Sequence, residues 1–94
     1  MNLFKEILEA EKQLQLVVQK TPLLENLNLS EEYNATILLK REDLQVVRSY
    51  KIRGAYNKIS SLTEAERTQG IVCASAGNHA QGVAYSCNLL QIKG

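Results

Sequence analysis

Lys51, a lysine at the start of a predicted helix, is the first candidate for chemistry in this sequence. A loop leads into that helix, and Arg48 and Arg53 flank the lysine. The positive end of the helix dipole and the two arginines all disfavour another positive charge at this position. They favour the neutral amine, which is the form that attacks a carbonyl carbon. The alternative, from the residues alone, is an exposed lysine on an ordinary helix.

A turn of small residues is the second candidate. It consists of Ser75, Ala76, Gly77, Asn78 and His79, and it leads into another predicted helix. Small residues let the backbone approach a ligand closely, and a helix N-terminus offers free amides to an anion. The Ser75 and Asn78 side chains add directed hydrogen-bonding groups. An ordinary helix cap, in which these side chains only satisfy backbone amides, stays open as the alternative.

The elements that position the two turns alternate between helix and strand. Apolar periodicity predicts a helix over 2–19, which Thr21-Pro22 ends, and a loop or short helix follows over 26–34. A short apolar run predicts a strand over 35–39, and a helix is predicted from Ser49 to 62. The last three predicted elements are a capped helix from Thr63 to Gly70, a strand over 71–74 and a helix over 79–90. This order is typical of a parallel sheet covered by helices. In such sheets ligands bind at the carboxyl ends of strands, where both turns would lie.

Both turns lie within segments that resemble a known family. The segments KREDLQVVRSYKIRGAYN and CASAGNHAQGVAYS are similar to the N-terminal part of the pyridoxal-phosphate enzymes of the serine/threonine dehydratase family, and Thr21-Pro22-Leu23 fits the same pattern. The two motifs stand in the family's order and at its separation. The resemblance covers residues 20–90 and is nearest to the biosynthetic members that act on threonine.

The resemblance implies an α/β fold of the tryptophan synthase β-like type, fold type II, in which a parallel sheet with flanking helices binds pyridoxal 5'-phosphate. It implies that Lys51 holds this cofactor as an imine and removes the substrate's α-proton. It implies that Asn78 binds the phenolic oxygen of the cofactor ring. The substrate carboxylate would be bound by the turn formed by Ser75, Ala76, Gly77, Asn78 and His79.

The implied reaction is deamination of L-threonine to 2-oxobutanoate and ammonia, the first step of isoleucine biosynthesis. Racemases of this fold carry a serine where this chain has Ala76, so racemisation is not expected. Deamination of L-serine, or another β-elimination, remains an alternative. A different alternative is a non-catalytic truncated product that only associates with a full-length subunit. The resemblance also implies that the full-length proteins are homo-oligomers.

Composition limits the other classes of function. The 94 residues carry a net charge of +1 and are 45% hydrophobic, which argues against a nucleic-acid partner or a polybasic membrane patch. No apolar run is long enough for a membrane span, and no signal peptide is recognisable, so a cytoplasmic location is expected. Cys73 and Cys87 are expected to be buried, reduced thiols. Two cysteines and one histidine do not predict a zinc site, and no metal is expected.

The length predicts one incomplete domain. Two strands are few for an open sheet, and residues 91–94 resemble the lead into a third. None of the 94 residues matches the family's glycine-rich loop that binds the cofactor phosphate. We therefore expect residues 1–94 to be a single, incomplete N-terminal portion of the cofactor-binding domain. Alone it should bind the cofactor weakly and show no useful turnover.

Overall fold

Five α-helices, a short 3-10 helix and one two-stranded sheet make up the fold in a computed structural model that describes residues 1–94. The elements in chain order are α1 (Leu3–Leu14), β1 (Leu23–Glu25), α2 (Leu27–Tyr33), β2 (Leu38–Lys40), the 3-10 helix (Glu42–Leu44), α3 (Lys51–Ser60), α4 (Glu64–Gln69) and α5 (Asn78–Leu90). None of the helices combines the length and apolar composition that a membrane crossing requires.

The first helix is shorter than the predicted helix over 2–19. The Asn2 side chain caps it by accepting a hydrogen bond from the Lys5 amide at 3.2 Å. The helix ends at Leu14, its only buried residue, and the amides of Val17 and Val18 still bond to the Leu14 carbonyl. The apolar periodicity therefore predicted the helix correctly. The same periodicity extends beyond Leu14 through a hydrogen-bonded turn that is not helical, so the predicted helix was too long.

The sheet differs from the predicted parallel pair. Strand β2 occupies the end of the predicted strand over 35–39, and it pairs antiparallel with β1, with Leu24 opposite Leu39. Strand β1 follows directly after Pro22 and was not predicted, because three residues are too few to show a period. The predicted pairing of parallel strands is therefore wrong for these 94 residues.

The segment 71–74 does not form the predicted strand. The one backbone hydrogen bond between this segment and a distant part of the chain runs from the Ile71 amide to the Lys93 carbonyl at 2.8 Å. Val72 and Cys73 are exposed because no neighbouring strand covers them. Both cysteines are free and Cys87 is buried, so the prediction of buried thiols is confirmed for Cys87 and wrong for Cys73.

The predicted helix over 63–70 is confirmed. The Thr63 hydroxyl accepts from the Glu66 amide at 3.3 Å, and the Glu66 carboxylate accepts from the Thr63 amide at 2.8 Å. Gly70 ends α4 with a φ of 83°, a backbone conformation that favours glycine. These are local interactions, so the sequence was sufficient to predict them.

The core lies between α3 and α5. The five buried residues that form it are Ala55, Ile59, Val83, Cys87 and Ile92. Gly82 allows the closest approach, because a Cβ atom there would lie 3.1 Å from the carbonyl carbon and oxygen of Lys51. Early residues of α3 thus meet early residues of α5, and the two helix N-termini lie at the same end of the pair.

A polar cluster holds α3 from its other side. The Glu42 carboxylate pairs with the Arg53 guanidinium through both oxygens, and it also accepts the Thr21 hydroxyl at 2.6 Å and the Gln45 side-chain amide at 3.0 Å. Gln45 is fully buried and exchanges two further hydrogen bonds with the Gln19 backbone. This cluster joins α3 to the 3-10 helix and to the segment before β1.

Substitution of the two helical glycines tests the close approach. Gly82→Val should destabilise the chain by about 1–3 kcal/mol, because the added carbons meet the α3 backbone. Gly54→Ala should stabilise it by about 0.5–1 kcal/mol, since a Cβ there meets nothing within 4 Å and alanine favours a helix. Urea unfolding measures both effects. A Gly82→Val variant as stable as the parent would show that the contact is not tight.

Acid should weaken the polar cluster. The ion pair with Arg53, helped by the hydrogen bonds from Thr21 and Gln45, lowers the pKa of Glu42 from 4.5 to about 2. A carboxylate with a depressed folded pKa contributes stability above its unfolded pKa and loses it as the pH falls toward the folded value. Between about pH 5.5 and 2.5 the parent should therefore lose about 2–3 kcal/mol more unfolding free energy than Glu42→Gln does. Equal losses in the two proteins would contradict this.

Candidate active site

Lys51 is the first residue of α3 and is half-buried. The predicted start near Ser49 is close to the observed one, and the buried Ser49 hydroxyl accepts from the Lys51 amide at 3.4 Å. The Lys51 Nζ lies 5.0 Å from the centroid of the exposed Tyr50 ring, which is within range of a cation–π contact. The amine is thus held beside a helix N-terminus and remains accessible.

The two arginines near Lys51 do not act alike. Arg53 is paired with Glu42, so a carboxylate compensates its charge. Arg48 is exposed, has a φ of 62° and forms no ion pair. The expectation that both arginines oppose a charge on Lys51 stays a prediction, and the structure shows only that the Glu42 carboxylate compensates the charge of Arg53.

The predicted turn from Ser75 to His79 is exposed throughout and leads into α5. The Ser75 hydroxyl oxygen accepts from the amides of Gly77 and Ala80, each at 3.3 Å. The Ser75 side chain therefore satisfies one amide in the first turn of α5, as the simpler interpretation held, although the N-cap residue itself is Gly77 and forms no side-chain cap. Its hydroxyl proton is not used in these two bonds and can still be donated to an anion.

The free hydrogen-bond donors of the turn suit an anion. The first amides of a helix have no acceptor within the helix, and those of Asn78 and His79 belong to this group. A Cβ atom placed on Gly77 would meet nothing within 4 Å, so the space beside the turn is open. Amides, a hydroxyl and a side-chain amide without a carboxylate form a donor set that suits a carboxylate or phosphate oxygen.

The contact at Gly82 brings the two candidates together. Gly82 touches the Lys51 backbone, and Asn78 precedes Gly82 by four residues, or about 6 Å along the helix axis. The Ser86 hydroxyl donates to the Gly82 carbonyl at 2.7 Å and is fully buried, which fixes this part of α5. The Lys51 amine and the turn from Ser75 to His79 therefore lie at one end of the α3–α5 pair.

Two residues that matter for this geometry, Gly82 and Glu42, were not identified from the sequence, and Arg53 was identified only as a charge near Lys51. Gly82 had a usable signal, since a glycine inside a helical pattern often marks a close backbone approach. Glu42 had none, because Glu42 and Arg53 are neighbours in space through a turn whose path the sequence does not specify. Their pairing is a result of tertiary structure.

Known proteins match this arrangement. A family model described as pyridoxal-phosphate dependent enzyme matches residues 14–94. The biosynthetic L-threonine dehydratase of Halalkalibacterium halodurans is 59% identical over 90 residues, which are 96% of this chain and 22% of that protein. The chain thus spans about a fifth of the length of this curated relative.

Solved structures match as well. A serine racemase from Dictyostelium discoideum is 39% identical, with a TM-score of 0.87 over 95% of this chain and 29% of the racemase. The processed form of threonine deaminase isoform 2 from Solanum lycopersicum is 40% identical, with a TM-score of 0.82 over 96% of this chain and 25% of the deaminase. These matches confirm the predicted fold class and the resemblance stated from the two motifs. The chain belongs to the family of pyridoxal-phosphate dependent enzymes.

Proposed function

We propose that this chain supplies the cofactor lysine and the substrate-binding turn of an enzyme that deaminates L-threonine to 2-oxobutanoate and ammonia. The observation that carries the proposal is the Gly82 contact, because it places Lys51 and the turn before α5 at the same end of two packed helices. The names of the relatives, a threonine dehydratase and a threonine deaminase, support the choice of substrate.

The residues present fit two of the three reactive or polar groups of pyridoxal phosphate. The cofactor has an aldehyde and a phenolic oxygen, for which the site offers an accessible amine and a side-chain amide, and the turn carries no acidic side chain that would repel an anion. Lys51 would hold the aldehyde carbon, and Asn78 would donate to the phenolic oxygen. Bound pyridoxal phosphate supplies a ring that accepts the electron pair left when the substrate Cα–H bond breaks.

The protein's own groups then position the substrate and move a proton. The amides at the start of α5 and the Ser75 hydroxyl bind and orient the α-carboxylate. The Lys51 Nζ, once free, takes the α-proton. The β-hydroxyl leaves as water, and a water molecule later replaces the nitrogen, so threonine yields 2-oxobutanoate and ammonia with no net change in water.

Ala76 distinguishes between racemisation and deamination, the two activities for which the similar solved structures are named. Racemisation requires an acid or base on the face of the substrate opposite Lys51, and a methyl group provides neither. We therefore assign deamination rather than racemisation. Deamination of L-serine on the same site is the second candidate, because the turn binds the carboxylate that both substrates share.

We further propose that residues 1–94 are a single, incomplete N-terminal portion of the cofactor-binding domain and are inactive alone. They span about a fifth of the curated relative. The biosynthetic name of that relative supports a role at the entry to isoleucine biosynthesis, and the free cysteines fit a reducing, cytoplasmic setting.

Borohydride trapping tests the role of Lys51. The experiment uses a chimera of the 59%-identical relative, in which residues 1–94 of this chain replace the matching segment. Reduction in the presence of pyridoxal phosphate should label Lys51, as read by peptide mass spectrometry, and Lys51→Ala should lose the label and the visible absorbance band. Lys58→Ala, on the same helix and exposed, is the control and should keep both. A label on another side chain in the parent chimera overturns the proposal.

Product analysis tests the reaction. The chimera should form 2-oxobutanoate from L-threonine and no D-serine from L-serine, because Ala76 cannot deliver a proton to the opposite face. Residues 1–94 alone should form neither product. Chiral chromatography and a 2-oxo acid assay give both readings, and D-serine formed as fast as the 2-oxo acid would contradict the assignment.

A further inference from the structure

The first turn of α3 is fixed on two sides. Lys51 and Arg53 are two positions apart, so their side chains leave the helix about 200° apart around its axis. The Gly82 backbone packs against the Lys51 backbone. Arg53 is anchored separately, on the side opposite the Lys51 side chain.

The Glu42 carboxylate, which binds Arg53, is itself held by several side chains. The Arg53 guanidinium contacts both Glu42 oxygens, an arrangement that sets direction as well as distance. Two buried residues, Thr21 and Gln45, bond to the same carboxylate. Glu42 therefore cannot move without breaking bonds to three other side chains.

We propose that Glu42 and Arg53 are positioning residues for Lys51, and that their two-oxygen ion pair holds the first turn of α3 so that the Lys51 amine keeps its direction. This rests on the role proposed for Lys51. Neither residue touches the substrate or the cofactor in this account. The pair acts through the helix backbone that carries the amine.

A second arginine–carboxylate pair in the same region provides a matched control. Arg41 and Asp43 form two hydrogen bonds, but their side chains are 38% and 57% exposed and neither bonds to another side chain. Asp43 lies beside Glu42 in the 3-10 helix. Substitution of Asp43 thus changes the same charge at almost the same place without touching α3.

The experiment compares Glu42→Gln with Asp43→Asn in the chimera and uses two readings. Amide hydrogen exchange reports how firmly residues 53–56 are held, relative to residues 83–87 of α5. Stopped-flow absorbance with the cofactor-free chimera gives the limiting rate at which Lys51 captures pyridoxal phosphate and the concentration at half of that rate. Borohydride mapping confirms the labelled residue in each variant.

Glu42→Gln should speed exchange at residues 53–56 at least about tenfold, with little change in α5. It should lower the limiting capture rate about tenfold and leave the half-saturating concentration within about twofold, because the amine is misdirected while the cofactor contacts remain. Asp43→Asn should leave all three values within about twofold of the parent. Glu42→Asp, which keeps the charge, should recover part of the rate.

Three results would overturn the proposal. The first is unchanged amide exchange at residues 53–56 in Glu42→Gln. The second is faster exchange in Glu42→Gln with an unchanged rate of pyridoxal phosphate capture. The third is a loss of capture rate in Asp43→Asn that equals the loss in Glu42→Gln. Failure of the proposed function is distinguishable, since it appears in the parent chimera as a borohydride label away from Lys51. If Glu42→Gln does not fold, Arg53→Lys against Arg41→Lys gives the same comparison, because lysine keeps the charge and loses the two-oxygen contact.

Discussion

The close contact between the backbones of Gly82 and Lys51 is the constraint on which the candidate site depends. A Cβ atom on residue 82 would lie 3.1 Å from the Lys51 carbonyl group, so a larger residue there would have to push α5 away from the start of α3 by a few tenths of an ångström. Ala55 and Ile59 of α3 share one buried cluster with Val83 and Cys87 of α5, so the two helices stay packed beyond this contact. The Lys51 amine and the turn from Ser75 to His79 then share one end of the pair without any direct bond between them.

The polar cluster around Glu42 complements this contact. Apolar packing fixes how near two helices lie, but it is weakly directional. The Glu42–Arg53 pair is directional, and it ties α3 to the buried residues Thr21 and Gln45. The start of α3, which carries Lys51, is thereby supported both by shape and by oriented hydrogen bonds, which is the usual requirement for a precise site.

The mismatches between sequence and structure have a common cause. Residues 71–74 have the composition of a buried strand, yet they form none, and Val72 and Cys73 are exposed. A strand exists only when a neighbour accepts its hydrogen bonds, and composition cannot show whether that neighbour is near. The β1–β2 pair shows the reverse case, in which three weakly patterned residues became a strand because a partner was available.

The sequence alone determined what depends on nearby residues. This includes the capping box at Thr63, the turn at Ser75 and the chemical identity of Lys51, and two motifs in order were sufficient to indicate the family. Tertiary structure decided which groups face one another. It paired Arg53 with Glu42 and set α5 against α3 through Gly82. Contacts between residues far apart in the chain depend on the whole path of the backbone, and local propensity does not encode that path.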